Sequence, residues 1–112
     1  MKHLIAIPLE NNRLCRHFGH CQQFSLVKVE NDEIIGEERI TPPPHEPGLL
    51  PKWLAERGVT DIISGGMGQR AISLFDAQNI QVNVGAEPKE PVELVTDWLK
   101  KSLVTGSNAC DH

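Results

Sequence analysis

Cysteine, histidine and arginine residues are concentrated in one short segment near the start of the chain. Residues 13–21 contain two of each type and no carboxylate, although the whole chain has a formal net charge of -4. Imidazole and thiolate groups bind soft and borderline metals, while guanidinium groups donate hydrogen bonds to anions. The segment is therefore a candidate binding loop, whose candidate residues are Arg13, Arg16, His17, Phe18, Gly19, His20 and Cys21.

The spacing in this loop does not match a structural zinc site. Neither its two cysteines nor its two histidines have the separations that zinc fingers use. A single residue of either type also has a purely structural explanation, because Cys15 can pack in a core and a loop histidine can simply be solvated. The cluster as a whole favours a ligand site, with His17, His20 and Cys21 as metal ligands.

Residues 41–48 could add a third imidazole to this site. Four prolines exclude regular structure there, because each removes a backbone donor and biases the preceding residue toward an extended conformation. His45 lies in this stiff loop and is a further candidate metal ligand, although a lone histidine in such a loop can also be merely exposed.

A glycine-rich turn follows a predicted strand and precedes a predicted helix. The backbone amides of such a turn can approach an anion closely, and the positive end of the helix favours negative charge. The candidate residues are Gly65, Gly66, Met67 and Gly68, of which Met67 could offer a thioether or only pack. The turn lacks the Lys-Ser/Thr pair of a Walker P-loop and the spacing of a dinucleotide fingerprint, so nucleotide binding is not supported.

The pattern of apolar residues predicts the elements that position these segments. We expect five strands, at residues 4–8, 24–30, 33–40, 59–64 and 80–84, the second and third joined as a hairpin by Asn31-Asp32. Helical spacing predicts three helices, at residues 49–57, through 71–75 and at 92–103. We expect residues 1–105 to form a single domain and residues 106–112 a flexible polar tail, because chain ends are usually disordered unless tied down.

This order of elements predicts a layered α/β domain with one mixed sheet, in which the second strand is antiparallel. The loops 10–22, 41–48, 64–69 and 85–91 then all lie at the carboxyl ends of the parallel strands. Ligands of open α/β sheets bind at this edge, where the chain connections diverge. Here that point falls between the first and fourth predicted strands.

Length and composition exclude several classes of protein. The 112 residues, 39% of them hydrophobic, suffice for one domain without a stabilising disulfide or metal. A pI of about 5.7 disfavours nonspecific binding of nucleic acid. No apolar run is long enough to cross a membrane or to act as a signal peptide, so we expect a cytoplasmic protein. Three cysteines, an odd number, argue against a disulfide framework.

A catalytic set of residues is not evident. The same order of elements occurs in ribonuclease H-like nucleases, which hold two metal ions with carboxylates at the sheet edge. Here the first strand has no acid before Glu10, and Asp61 begins rather than ends the fourth strand. A cysteine–histidine pair in the loop would need a group that orients the base, and none is apparent. We therefore expect a binding protein rather than an enzyme.

Three motifs, taken in order, resemble those of a known family. They are His17-Phe18-Gly19-His20, Gly48-Leu49-Leu50-Pro51-Lys52-Trp53-Leu54 and Ile63-Ser64-Gly65-Gly66-Met67-Gly68. Over essentially its whole length the chain resembles the dinitrogenase iron-molybdenum cofactor biosynthesis family, of the NifX and NifB C-terminal type. It is also similar to the orange protein of sulfate-reducing bacteria. Cys21 departs from the family pattern, because relatives commonly have a small residue at this position.

The resemblance implies a three-layer α/β/α sandwich of the ribonuclease H-like kind, without nuclease activity. It implies that the protein binds or carries a metal-sulfur cluster of molybdenum with iron or copper, in metallocluster biosynthesis, storage or transfer. Cluster-donor and acceptor proteins would be its partners. The alternative function is a metal-ion chaperone or sensor, which would bind an ion without sulfide through Cys15, Cys21, Cys110 and His112.

Overall fold

The structure is a computed structural model that describes residues 2–15, 22–42, 49–87 and 89–100. Within these residues the chain forms the strands β1 Lys2–Glu10, β2 Arg13–Leu14, β3 Gln23–Glu30, β4 Glu33–Ile40, β5 Asp61–Ile63 and β6 Gln81–Asn83. It also forms the helices α1 Leu49–Glu56, α2 Gln69–Ala77 and α3 Pro91–Leu99. None of these helices is long and apolar enough to cross a membrane. The predicted tail, 106–112, lies outside the described residues.

The six strands form one mixed sheet in the order β4-β3-β1-β5-β6, and β2 pairs with β1. β3 runs antiparallel to both β1 and β4, whereas β5 is parallel to β1 and β6 is parallel to β5. The predicted mixed sheet with an antiparallel second strand is confirmed. The carboxyl ends of β1, β4, β5 and β6 therefore lie at one edge of the sheet, which we call the carboxyl edge.

The sheet differs from the predicted five strands by the addition of β2. This strand has only two residues, in which Leu14 lies opposite Leu9 of β1, and it is too short for a hydrophobic pattern to reveal. β1 is also longer than the predicted 4–8. Its polar first residues join the sheet because they pair with β3, as Lys2 does with Glu30.

Helices cover both faces of the sheet, which confirms the predicted α/β/α layering. On one face a hydrophobic core joins α3 to the sheet and includes Ile7 and Leu94. On the other face a second core joins α1 and α2 to the sheet and includes Ala6, Leu54 and Phe75. Ala6 and Ile7 are neighbours in β1 whose side chains point to opposite faces. Because both faces are buried, β1 reads as a continuous apolar run.

Asparagine and aspartate form the tight turns between antiparallel strands. Asn31 and Asp32 have φ values of 52° and 64°, which confirms the predicted hairpin between β3 and β4. Asn11 and Asn12, between β1 and β2, have φ values of 54° and 67°. The short polar side chains of these residue types tolerate the left-handed region better than most others do. Both turns therefore have a defined backbone shape.

The helices lie where helical spacing predicts them, with shifted ends. α1 stops at Glu56, one residue before the predicted end, and Gly58 follows with a φ of 87°. α2 begins directly after the glycine turn, at Gln69. α3 ends at Leu99 rather than at residue 103, and residues 101–103 lie outside the described part of the chain.

Candidate functional site

Backbone hydrogen bonds join the loops that meet at the carboxyl edge. The Gly85 N–H, after β6, donates to the Gly65 carbonyl, after β5, at 2.9 Å. The Leu14 N–H of β2 donates to the Lys89 carbonyl at 3.0 Å. The segments that follow β1, β5 and β6 are thus in contact with one another, as the predicted topology requires.

Both ends of the candidate binding loop are fastened to the last residues of β1. The Cys15 N–H donates to the Pro8 carbonyl at 2.7 Å, and the Gln22 N–H donates to the Leu9 carbonyl at 2.8 Å. The segment 16–21 therefore starts and ends at the carboxyl edge. The remaining candidate residues of this site, Arg16, His17, Phe18, Gly19, His20, Cys21 and His45, lie outside the described residues.

The first residues of the candidate loop differ in exposure. Arg13 is exposed, so its guanidinium can reach a ligand at the edge. Cys15 is only 1% exposed, and its thiol donates to the Glu10 carboxylate with an Sγ–Oε2 distance of 3.7 Å. The structure thus assigns Cys15 to the core, which agrees with the packing role that the sequence analysis allowed for this residue.

The glycine turn presents backbone donors at the carboxyl edge. Gly65 and Gly66 are buried, and their carbonyls accept hydrogen bonds from the Gly85 N–H and the Ser64 hydroxyl (3.1 Å), respectively. The N–H groups of Gly65, Gly66 and Gly68 donate to no acceptor within the described residues. Gly68 is exposed, whereas Gly65 and Gly66 are buried, and a buried donor without an acceptor costs about 1–3 kcal/mol, so an anion that accepts from these two groups would be stabilised.

Met67 differs from the other residues of the turn, because its side chain lies in the core. It is 0% exposed and belongs to the core cluster on the α1 and α2 face. Of the two roles predicted for Met67, ligand and packing, this burial favours packing: between Gly66 and Gly68 its side chain anchors the turn in the core.

The amino-terminal end of α2 also points to the carboxyl edge. Gly68 precedes the helix with a φ of -66° and a ψ of 153°, and no side chain caps it. The first turn of α2 contains no acidic residue, whereas Arg70 is exposed there. A Cβ added at Gly68 would meet nothing within 4 Å. Within the described residues, the first turn of α2 thus offers no carboxylate to balance the positive end of the helix dipole.

Asp61, the carboxylate at the start of β5, lies at the opposite edge of the sheet. Its Oδ1 accepts hydrogen bonds from His3 Nδ1 at 3.0 Å and from the Thr60 hydroxyl at 2.6 Å. This confirms that Asp61 does not belong to the carboxyl edge, where a ribonuclease H-like metal site would need it.

The dinitrogenase iron-molybdenum cofactor family model matches residues 1–101. The chain belongs to this family. It is 40% identical over 83 residues to the uncharacterized protein MJ0580 of Methanocaldococcus jannaschii, and the match covers 70% of each chain. The predicted family is confirmed.

Solved structures share this fold. The crystal structure of PH0822 superposes with a TM-score of 0.84 at 26% identity, covering 94% of each chain. The apo form of the orange protein from Desulfovibrio gigas superposes with a TM-score of 0.77 at 19% identity, covering 95% of this chain and 94% of that one. The predicted fold class, and its similarity to the orange protein, are confirmed.

In this family member the described part of the carboxyl edge offers donors rather than metal ligands. Among the described residues, no group of three or more His, Cys, Asp or Glu side chains could hold a metal ion. The edge instead carries the glycine-turn amides and the exposed guanidinium groups of Arg13 and Arg70. Donors of this kind suit the outer atoms of an anion better than a bare metal ion.

Lys89 is a residue of the edge that the sequence pattern does not single out. Its Nζ lies 3.3 Å from Asp97 Oδ2 in α3 and 3.6 Å from Glu87 Oε2. The hydrogen bond from Lys89 to Asp97, and the negative charge of Asp97, raise the pKa of Lys89. Because the Lys89 carbonyl also accepts from Leu14, this residue connects β2 to α3. Nothing in the types or spacing of these residues predicts that connection.

Proposed function

We propose that this protein binds and carries an anionic metal-sulfur cluster, containing molybdenum with iron or copper, at the carboxyl edge. The observation that carries the proposal is the group of N–H donors at Gly65, Gly66 and Gly68 beside the fastened ends of segment 16–21. Membership of the iron-molybdenum cofactor family makes a molybdenum- or iron-containing anion the most suitable ligand for such donors.

The chemistry of a metal sulfide fits this edge. Its outer sulfur atoms carry negative charge and accept hydrogen bonds from amides and guanidinium groups, such as those of the glycine turn and Arg13. We propose that His17, His20, Cys21 and His45 bind the metals directly, since imidazole and thiolate suit soft and borderline metals. Arg16, Phe18 and Gly19 would complete the wall of the site.

Carriage rather than catalysis is the role that this arrangement favours. Many hydrogen bonds and a few metal ligands hold a cluster strongly enough to protect it, and the cluster can still be exchanged with a partner. We propose proteins that donate or accept the cluster as those partners, in metallocluster biosynthesis, storage or transfer.

Uptake of a cluster can be measured directly. We would purify untagged protein without oxygen and determine molybdenum, iron, copper and sulfide together with the visible absorption spectrum. The same measurements would follow incubation with tetrathiomolybdate, with and without copper salt, and with iron salt plus sulfide. We expect stoichiometric metal and sulfide with charge-transfer bands. Metal without sulfide would support the ion-chaperone alternative, and neither would contradict both functions.

The proposed metal ligands can be tested by replacing both loop histidines. We expect the double variant His17→Ala/His20→Ala to lose cluster retention after gel filtration, because it removes two imidazole ligands. Circular dichroism and the melting temperature should stay unchanged. The control is His3→Ala, since His3 lies at the opposite edge against Asp61. Unaltered metal content in the double variant would remove these histidines from the site.

A further inference from the structure

The turn between β1 and β2 is held by a side chain of β4, the edge strand that is separated from β1 by β3. Arg39 Nη1, on the edge strand β4, donates to Asn12 Oδ1 at 2.6 Å. Asn12 is the second of the two left-handed residues of this turn. β2 follows directly and leads through Cys15 into segment 16–21. Arg39 therefore contacts the turn that leads into the proposed binding loop, although β3 lies between its own strand, β4, and β1.

Arg39 is itself held in place by a buried group. The Ser25 hydroxyl of β3, whose residue is 0% exposed, donates to Glu37 Oε2 at 2.6 Å. The same Glu37 oxygen lies 3.7 Å from Arg39 Nε. An exposed arginine normally loses side-chain entropy when it is fixed by a single contact. Here Ser25 and Glu37 already restrict it, so the bond to Asn12 orders less of the side chain.

β2 is held by the burial of Leu14 in the core on the α3 face, by the Leu14 bond to the Lys89 carbonyl and by a short pairing with β1. It pairs with β1 through only two residues, Leu14 opposite Leu9 and Arg13 opposite Glu10. A pairing of this length is marginal on its own. Because the pairing with β1 is this short, the shape of the preceding turn influences whether β2 stays paired and whether the Cys15 N–H bond to the Pro8 carbonyl stays formed.

We propose that Arg39 is a positioning residue of the binding loop. Through Asn12 it fixes the β1–β2 turn, keeps β2 closed against β1 and so sets where segment 16–21 begins. When β2 is paired with β1 in this way, the cluster should be released more slowly. The effect on release rests on the proposed function, whereas the effect on the loop base can be measured in the cargo-free protein.

The first test is amide hydrogen exchange of the cargo-free protein, followed by NMR. We compare Arg39→Ala, which removes the donor, with Asn12→Gly, which removes the acceptor and tolerates a positive φ. In both variants the Leu14 and Cys15 amides should exchange about fivefold faster, the factor expected for one net hydrogen bond. The Ser64 amide, bonded between β5 and β6, is the internal reference and should not change.

Further variants isolate the contact from other effects of each substitution. The double variant Arg39→Ala/Asn12→Gly should exchange no faster than either single variant, because both remove the same bond. Asn12→Asp keeps an acceptor and should retain the protection of the wild type. Arg57→Ala is the matched control, since Arg57 stacks on Trp53 4.4 Å from its ring centre and takes no part in the turn. Unchanged exchange in both single variants, or additive effects in the double variant, would overturn the proposal.

The second test measures release of the cluster. Protein loaded with tetrathiomolybdate and copper is transferred into excess chelator, and the decay of the visible bands is followed. We expect Arg39→Ala and Asn12→Gly to release the cluster about fivefold faster, with uptake unchanged. Faster amide exchange with unaltered release would refute a role in positioning the cluster site. If the wild type takes up no cluster, the proposed function fails, and the exchange data alone decide whether Arg39 holds the turn.

Discussion

At the scale of single residues, Gly68 allows one backbone donor to be removed without altering the fold. Its φ of -66° is the value to which proline is restricted, and its N–H has no acceptor within the described residues. Gly68 is the N-cap residue of α2, directly before the first helical position, at which proline is most common. We expect Gly68→Pro to bind the cluster about tenfold or more weakly, since hydrogen bonds to charged acceptors contribute about 1.5–3 kcal/mol. Titration of cargo-free protein with tetrathiomolybdate and copper measures this affinity.

The control for this substitution is Gly68→Ala, which keeps the N–H and adds only a Cβ. That Cβ would meet nothing within 4 Å, so the alanine variant should bind like the wild type. Equal affinity of the proline and alanine variants would show that the Gly68 amide does not contact the cluster. A lowered affinity of both variants would instead indicate that the cluster fills the space beside Gly68.

At the scale of elements, the ion pair between Lys89 and α3 predicts a loss of stability at alkaline pH. Asp97 raises the pKa of Lys89 above its ordinary value of 10.5 in the folded state. The stabilisation is fully present below the unfolded pKa and is lost as pH rises through the raised folded pKa. We expect wild type to exceed Lys89→Met in stability at about pH 9, and this difference to shrink above about pH 11. Urea unfolding midpoints measured across this range give the comparison.

Lys52→Met is the matched control for this prediction, because Lys52 is an exposed lysine in α1. It reports the effect of removing an exposed lysine that makes no ion pair within the described residues. A constant difference between wild type and Lys89→Met up to about pH 12 would contradict a stabilising ion pair to Asp97.

The sequence predicts helices and strands wherever burial dictates the pattern of residues. It does not predict the residues at which these elements end. β5 is shorter than the predicted 59–64, because Val59 and Thr60 are used in backbone bonds to α1 and to the start of β1: the Val59 N–H donates to the Leu54 carbonyl and the Thr60 N–H to the Leu4 carbonyl. Thr60 is exposed and still bonds to the strands on both sides, since its carbonyl accepts from the Gln81 N–H, but β5 itself begins only at Asp61. Hydrophobic pattern reports burial, whereas pairing depends on partners that are distant in the chain.

At the scale of the whole molecule, sequence predicts which loops share the carboxyl edge but not what holds them there. Strand order and direction follow from the element order, and they bring the glycine turn beside the end of β1. The contacts of Arg39 with Asn12 and of Leu14 with Lys89 join residues 27 and 75 positions apart. Such contacts depend on sheet register and side-chain reach, for which one sequence contains no periodic signal. Short motifs predict the site, and only the fold reveals contacts such as these that connect its surroundings.

The two candidate functions differ in their dependence on the last residues of the chain. Residues 106–112 are small or polar, and none of them has a large apolar side chain that a core would need. Deletion of residues 106–112 should therefore leave the melting temperature unchanged. A cluster held at the carboxyl edge should also stay bound, because its donors lie in the glycine turn and in the loop after β1. We expect the truncated and full-length proteins to retain equal molybdenum and sulfide after gel filtration.

A metal-ion chaperone that uses Cys110 and His112 predicts the opposite result for this truncation. Such a protein would lose two of its four ligands, and its affinity for a single metal ion would fall steeply. Substitution of Cys110 and His112 by Ala in the full-length chain separates loss of ligands from loss of chain length. The chaperone function would also require Cys15 as a ligand. Its thiol is buried against the Glu10 carboxylate and cannot reach an ion at the surface without opening β2. Loss of metal on truncation with the edge donors intact would therefore favour a chelating tail over a cluster held at the sheet edge.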